Sequence, residues 1–141
     1  AFIICLAFGH LFAATILYFN HRLVFHGALG RLPLLKSIRK LHLIHHRDAF
    51  GKNLEDSIKT PIWGKILLAL SFLSFEAMVA PGFGLGMLTF AGVYAYRHRS
   101  SHNGDTSHFS LHHLHHHHRA NVNFAGVYPI FDKLFGTHED Y

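Results

Sequence analysis

Residues 1–19 carry no charged side chain, and at about 1.5 Å of rise per residue a helix of that length crosses roughly 30 Å of hydrocarbon. The pattern predicts a transmembrane helix. A second apolar stretch covers residues 61–80, with Lys65 near its start, where a long side chain can snorkel, and Glu76 near its end. Pro81-Gly82 breaks it, and the uncharged, glycine-dotted run 83–96 is expected to return as a short span through thinned bilayer. All thirteen lysines and arginines lie outside residues 1–21 and 66–96, so two polar blocks, 22–59 and 97–141, hold nearly all the positive charge. The positive-inside rule puts both blocks in the cytoplasm. A span followed by a hairpin agrees, because it returns the chain to the side it left. The competing soluble reading makes residues 66–80 a buried core helix, since that run is shorter than a usual span.

The expected fold is therefore all-α: an integral membrane helical bundle with a cytoplasmic histidine-rich helical cap. At 141 residues the chain is one domain's worth, and half of it is hydrophobic. The opening lacks methionine, a basic leader and a cleavage site, and is read as part of a longer protein with upstream membrane helix. The single cysteine, Cys5, lies in an apolar run, which excludes a disulfide framework or thiolate zinc site built from this chain alone. A formal charge of +5 raises nucleic acid, but no basic stripe on a soluble fold accompanies it, and no nucleic-acid partner is expected.

Sixteen histidines against eight acidic residues change the picture, because imidazole suits iron, zinc, copper and nickel. Only His10 lies inside an apolar span; the rest follow the cytoplasmic ends of the spans. His21 and His26 follow the first span, and at about 100° per residue their rings would sit roughly 140° apart on an ideal helix. They would serve different metals, or the helix would end between them. His42, His45 and His46 form a second box on one helix turn. His98 and His102 are spaced i to i+4, which lets two rings bind one metal from one helix. The run at 111–118 permits two registers, His112 with His115 and His116 or His113 with His116 and His117. Two, three, two and three rings make ten nitrogens, too many for one ion and suited to two. Asp48, Glu55, Asp56 and Asp105 are placed to orient rings from outside. A lone pair of histidines would be ordinary surface chemistry, and the run His115 to His118 could be a tag, but four boxes beside membrane spans outweigh both. His10 and Glu76 are left out of the site.

From residue 20 to 137 the chain resembles the fatty acid hydroxylase superfamily, which includes sterol desaturases, C-4 sterol methyl oxidases and sphingolipid fatty acid hydroxylases. The resemblance rests on His21-Arg22 with His26, on His42-x-x-His45-His46, and on the late His-x-x-His-His box. It also rests on Asn123-Phe124 followed by Phe131-Asp132-Lys133-Leu134-Phe135-Gly136-Thr137, similar to a family ending with tryptophan where Phe131 stands and glycine where Ala125 stands. The resemblance implies two iron ions in a cytoplasmic cap, O2 as co-substrate, oxidation of a lipid C–H bond, and electrons from a cytochrome b5 or ferredoxin-type donor. The membrane would be the endoplasmic reticulum in a eukaryote or the inner membrane in a bacterium.

Unactivated C–H bonds resist acid, base and nucleophile, so redox-active iron fits and zinc does not. Hydroxylation and desaturation are both open, because substrate placement at the ångström scale separates them. Phe12, Phe19, Trp63, Phe90 and Tyr94 are read as packing or interfacial aromatics before any lining of a lipid route. The rival is a non-catalytic membrane metal-binding or metal-transport protein, which should carry more ionisable groups at mid-span than His10 and Glu76. A zinc hydrolase lacks its His-Glu-x-x-His helix here.

Overall fold

The computed structural model describes residues 1–48, 66, 70, 74 and 81–141. Among the described residues every regular element is a helix, and turns and irregular segments join them. Helix α1 covers Phe2–Phe19 and runs directly into a π-helical turn, Asn20–Phe25; a 3-10 turn, Ala28–Arg31, leads to α2, Lys36–Asp48. Helix α3 covers Phe83–His102, α4 His108–His118 and the short α5 Ile130–Leu134. The combined run Phe2–Phe25 is the one described helix long and apolar enough to cross a membrane. The expected third span is continuous helix, and it extends past residue 96 to His102. The expected second span lies outside the described residues, apart from Ile66, Leu70 and Ser74, which are helical and exposed.

Helices α1 and α3 run parallel, and glycines set how closely they approach. Gly82 lies against Phe2, Gly86 against Leu6 and His10, and Gly9 against Phe83. Small residues let backbones meet where no water-driven burial holds two apolar helices together. Further along, Ala14 packs with Phe90 and with Val127 from the C-terminal segment, flanked by Leu17, Val93 and Tyr94. His10 is satisfied inside this packing. Thr89 donates its hydroxyl proton to the Gly86 carbonyl at 2.7 Å, so its oxygen accepts from His10 Nδ1 at 2.9 Å. The other ring nitrogen then accepts the Tyr128 hydroxyl at 2.6 Å. The outward face of α1 keeps Ile3, Ile4, Phe8, Leu11, Phe12 and Ile16 exposed, an apolar patch of the kind that marks contact with membrane or partner.

After α4 the chain folds back over the end of α1. Tyr18, 1% exposed, is enclosed by Phe19, Phe124, Phe131 and Phe135. Arg22 can only donate, so it donates to the Tyr18 hydroxyl at 3.2 Å; Tyr18 donates to Thr137 Oγ1 at 2.8 Å, and Thr137 to Asp132 at 2.7 Å. Asn123 turns the segment at φ +54°, a left-handed conformation that Asn tolerates better than most residues. Its side-chain amide exchanges hydrogen bonds with the Glu139 backbone at 2.9 and 2.8 Å, closing the turn.

Candidate metal centre

The π-turn decides where the first box points. In an α-helix residues five apart diverge, but here the His26 amide bonds the His21 carbonyl five residues back, at 3.1 Å, so the two side chains stack on one face. Both rings therefore enter one group, and the roughly 140° expected on an ideal helix does not apply. On α2, His42 and His46 are one turn apart and face the same group, whereas His45 points elsewhere. His98 and His102 share a face at the end of α3, and His113 and His117 share a face on α4.

The result is two groups of five histidines: His21, His26, His42, His46 and His116 in the first, and His45, His98, His102, His113 and His117 in the second. Within each, one ring nitrogen from every member lies within 4.8 Å of all the others. In the first group the His42 Nε2 is 3.1 Å from His21 Nε2 and 2.8 Å from His26 Nε2, and His116 Nε2 is 3.1 Å from His26 Nε2. In the second, His98 to His45 is 3.1 Å, His113 to His102 3.1 Å and His117 to His113 3.0 Å, all between Nε2 atoms. The groups abut, since His46 of the first stacks on His117 of the second with centroids 4.2 Å apart.

These residues fit an ion in each group. Two nitrogens about 2.1 Å from one metal and at right angles to each other are about 3 Å apart, close to the observed spacing. His21 Nδ1 donates to the Phe124 carbonyl at 2.6 Å and His116 Nδ1 to the Val122 carbonyl at 2.7 Å, which leaves each Nε2 with its lone pair facing the group. His46 Nε2 is buried with no hydrogen-bond partner. Electrostatics point the same way. Burial, then the surrounding rings, push His42 down to about 2 and His46 to about 3. Burial first, then His46 and Arg39, lowers His26 to about 4. Burial takes His98 and His116 to about 3. Neutral imidazole is the form that binds metal.

Ten of the twelve sequence candidates are thus gathered, and in the late box the arrangement selects His113, His116 and His117. His112 and His115 are not brought into either group. His112 Nε2 instead donates to Asp132 Oδ2 at 3.0 Å, and the ring stacks on His138. His115 Nε2 lies 3.5 Å from Glu139. The expected orienting acids differ as well: Asp48 pairs with Arg47 at 2.7 Å, and Asp105 accepts from Ser107 and Ser110 at 2.6 and 2.5 Å. Glu55 and Asp56 lie outside the described residues. Phe90 is core and Phe12 packs on Phe83, while Trp63 lies outside the described residues.

What residue reading did not assign is the orienting role of the C-terminal segment. Asp132, with no exposed surface, and the carbonyls of Val122 and Phe124 hold the first group from behind. The one signal available was that Asp132 and Thr137 sit in the tail motif noted above.

The family model described as fatty acid hydroxylase matches residues 6–137. No curated protein and no solved structure matches the chain.

Proposed function

This chain belongs to the fatty acid hydroxylase family, and we propose that it is a lipid hydroxylase or desaturase working at two irons, one in each five-histidine group, with O2 as co-substrate. The observation that carries the reading is the paired groups themselves, because ten converging imidazoles in two sets of five suit two ions. An iron ion in each group would be held by the ring nitrogens of that group's five histidines. Iron, when bound, supplies the redox chemistry that an unactivated C–H bond requires. The chain's own residues keep the rings neutral, aim them through backbone carbonyls and shield them from bulk water. Hydroxylation then balances as R–H plus O2, two electrons and two protons giving R–OH and water. The electrons require a donor of cytochrome b5 or ferredoxin type, and the substrate is an acyl chain, a sterol or a related lipid.

The site belongs on the cytoplasmic face in this reading. The parallel course of α1 and α3 supports it, since both helices carry histidines at the same end, and Arg22, Arg97 and Arg99 lie there too. A lipid tail can then approach from the bilayer without crossing water.

The test is metal content and optical or Mössbauer spectroscopy on protein purified in detergent under reducing, anaerobic conditions, followed by 18O2 and lipid product analysis. Two irons per chain, a spectral change on adding O2, and an oxidised lipid support the reading. One ion, or zinc that resists exchange for iron, would replace it with metal binding or transport.

A further inference from the structure

We propose that Asp132 is the positioning residue of the first histidine group, acting through the 122–125 segment to aim His21 and His116. The proposal rests on the metal reading above but concerns residues that hold no ion. Asp132 has no exposed surface, and its carboxylate accepts from four donors. Oδ1 takes the Phe124 amide at 2.8 Å and the Thr137 hydroxyl at 2.7 Å. Oδ2 takes the Ala125 amide at 2.9 Å and His112 Nε2 at 3.0 Å. A carboxylate is the side chain that can accept so many bonds while donating none.

Peptide planarity converts those bonds into ring geometry. The Ala125 N–H and the Phe124 C=O belong to one trans peptide and point in opposite directions. Holding the N–H at Asp132 Oδ2 therefore aims the carbonyl at His21 Nδ1, 2.6 Å away. The second ring is set one step further out. The Val122 carbonyl, which accepts from His116 Nδ1 at 2.7 Å, shares its peptide with the Asn123 N–H, and that N–H donates to the Thr137 carbonyl at 2.8 Å. Thr137 is itself tied to Asp132 twice, by its amide to the Asp132 carbonyl at 2.8 Å and by its hydroxyl to the carboxylate. One buried carboxylate thus fixes two peptides, and each peptide fixes the tautomer and tilt of one ring. It also accounts for His112, which belongs to this support.

In Asp132→Asn the amide nitrogen would face a donor that the carboxylate had accepted, so the segment must rotate. The experiment is anaerobic titration of detergent-purified full chain with ferrous ion alone, counting ions per chain and their affinities. The variant should keep the second ion and hold the first at least about tenfold more weakly, and the ion that remains should be lost when His102→Ala is added. Thr137→Val, close in shape and no candidate ligand, should weaken the same ion in the same direction and decides the matter if Asp132→Asn does not fold. Undiminished binding of two ions by a folded variant, or equal weakening of both ions, would overturn the proposal. Wild-type protein holding fewer than two ions would instead overturn the two-ion reading and remove this proposal's premise with it.

Discussion

The contact between α1 and α3 makes a sharp prediction about stability. A β-carbon placed on Gly86 would collide with the Leu6 carbonyl oxygen and lie 2.9 Å from the His10 amide nitrogen, both backbone atoms that no rotamer change can move aside. Ordinary contact is about 3.5 Å, so the His10 contact alone requires the helices to part by about 0.6 Å, and the closer Leu6 oxygen requires more. Overpacking of this kind costs about 1–3 kcal/mol. Gly92, on the same helix, has nothing within 4 Å of the corresponding position. There alanine removes only glycine's helix penalty, worth up to about 1 kcal/mol in the stabilising direction. Thermal unfolding of the two variants side by side in one detergent is the assay. Gly86→Ala should melt below the parent, and Gly92→Ala at or above it. If Gly86→Ala is as stable as Gly92→Ala, the close parallel approach of α1 and α3 is wrong, and with it the relative placement of the two helix ends that carry His21 and His98.

Neighbouring residues should lose different ions: His46→Ala should weaken the first and His45→Ala the second, with ferrous titration as the readout, while His118→Ala should leave both ions bound. Loss of the same ion from both neighbours would refute the partition. Metal-free protein should lose stability as pH falls, because the folded rings of His42, His46, His98 and His116 stay neutral down to about 2–3 while unfolded rings take protons near 6.5. The unfolded state then binds more protons across that window, so each such ring removes at most about 1.4 kcal/mol per pH unit below 6.5; a melting temperature that rises from pH 7 to pH 5 would contradict this. Asn123→Ala should cost about 1–3 kcal/mol, since it puts a side chain unsuited to positive φ at a buried turn and deletes the bonds to Glu139. Unchanged melting would show that the turn is not held there.

The first apolar span and the clustering of the histidine boxes were legible because both are local. Charge-free length predicts α1, and i to i+4 spacing puts His98 and His102 on one helix face, where their rings meet in one group. The relation of His21 to His26 was not, because a reading at about 100° per residue assumes α-geometry throughout. A single π-turn overturns it, and nothing in Asn20-His21-Arg22-Leu23-Val24-Phe25 announces that turn. The register of the last box could not be read either, as it depends on which way α4 is rolled. His112 turns to Asp132, twenty residues on, and that pairing appears only when the C-terminal segment folds back over α1. Carbonyl acceptors such as Phe124 and Val122 leave no trace in side-chain patterns.

The spacing His-x-x-His-His acquires a reason once both groups are seen together. In α2, His42 and His46 enter the first group and His45 the second; in α4, His113 and His117 enter the second and His116 the first. Each helix thus gives an i, i+4 pair to one group and its i+3 ring to the other. Adjacent residues on a helix diverge by about 100°, so His45 and His46, or His116 and His117, cannot easily serve one ion but readily serve two abutting ones. The remaining pair in each group comes from a helix that contributes to that group alone, His21 and His26 from the end of the first helix and His98 and His102 from α3. The two groups are therefore related by an exchange of roles between α2 and α4, and the exchange is imperfect at one point. The α3 pair has four-residue spacing and needs only α-helix, whereas the first pair has five-residue spacing and needs the π-turn to stack. That turn is thus a requirement of the site and not an incidental irregularity at the helix end.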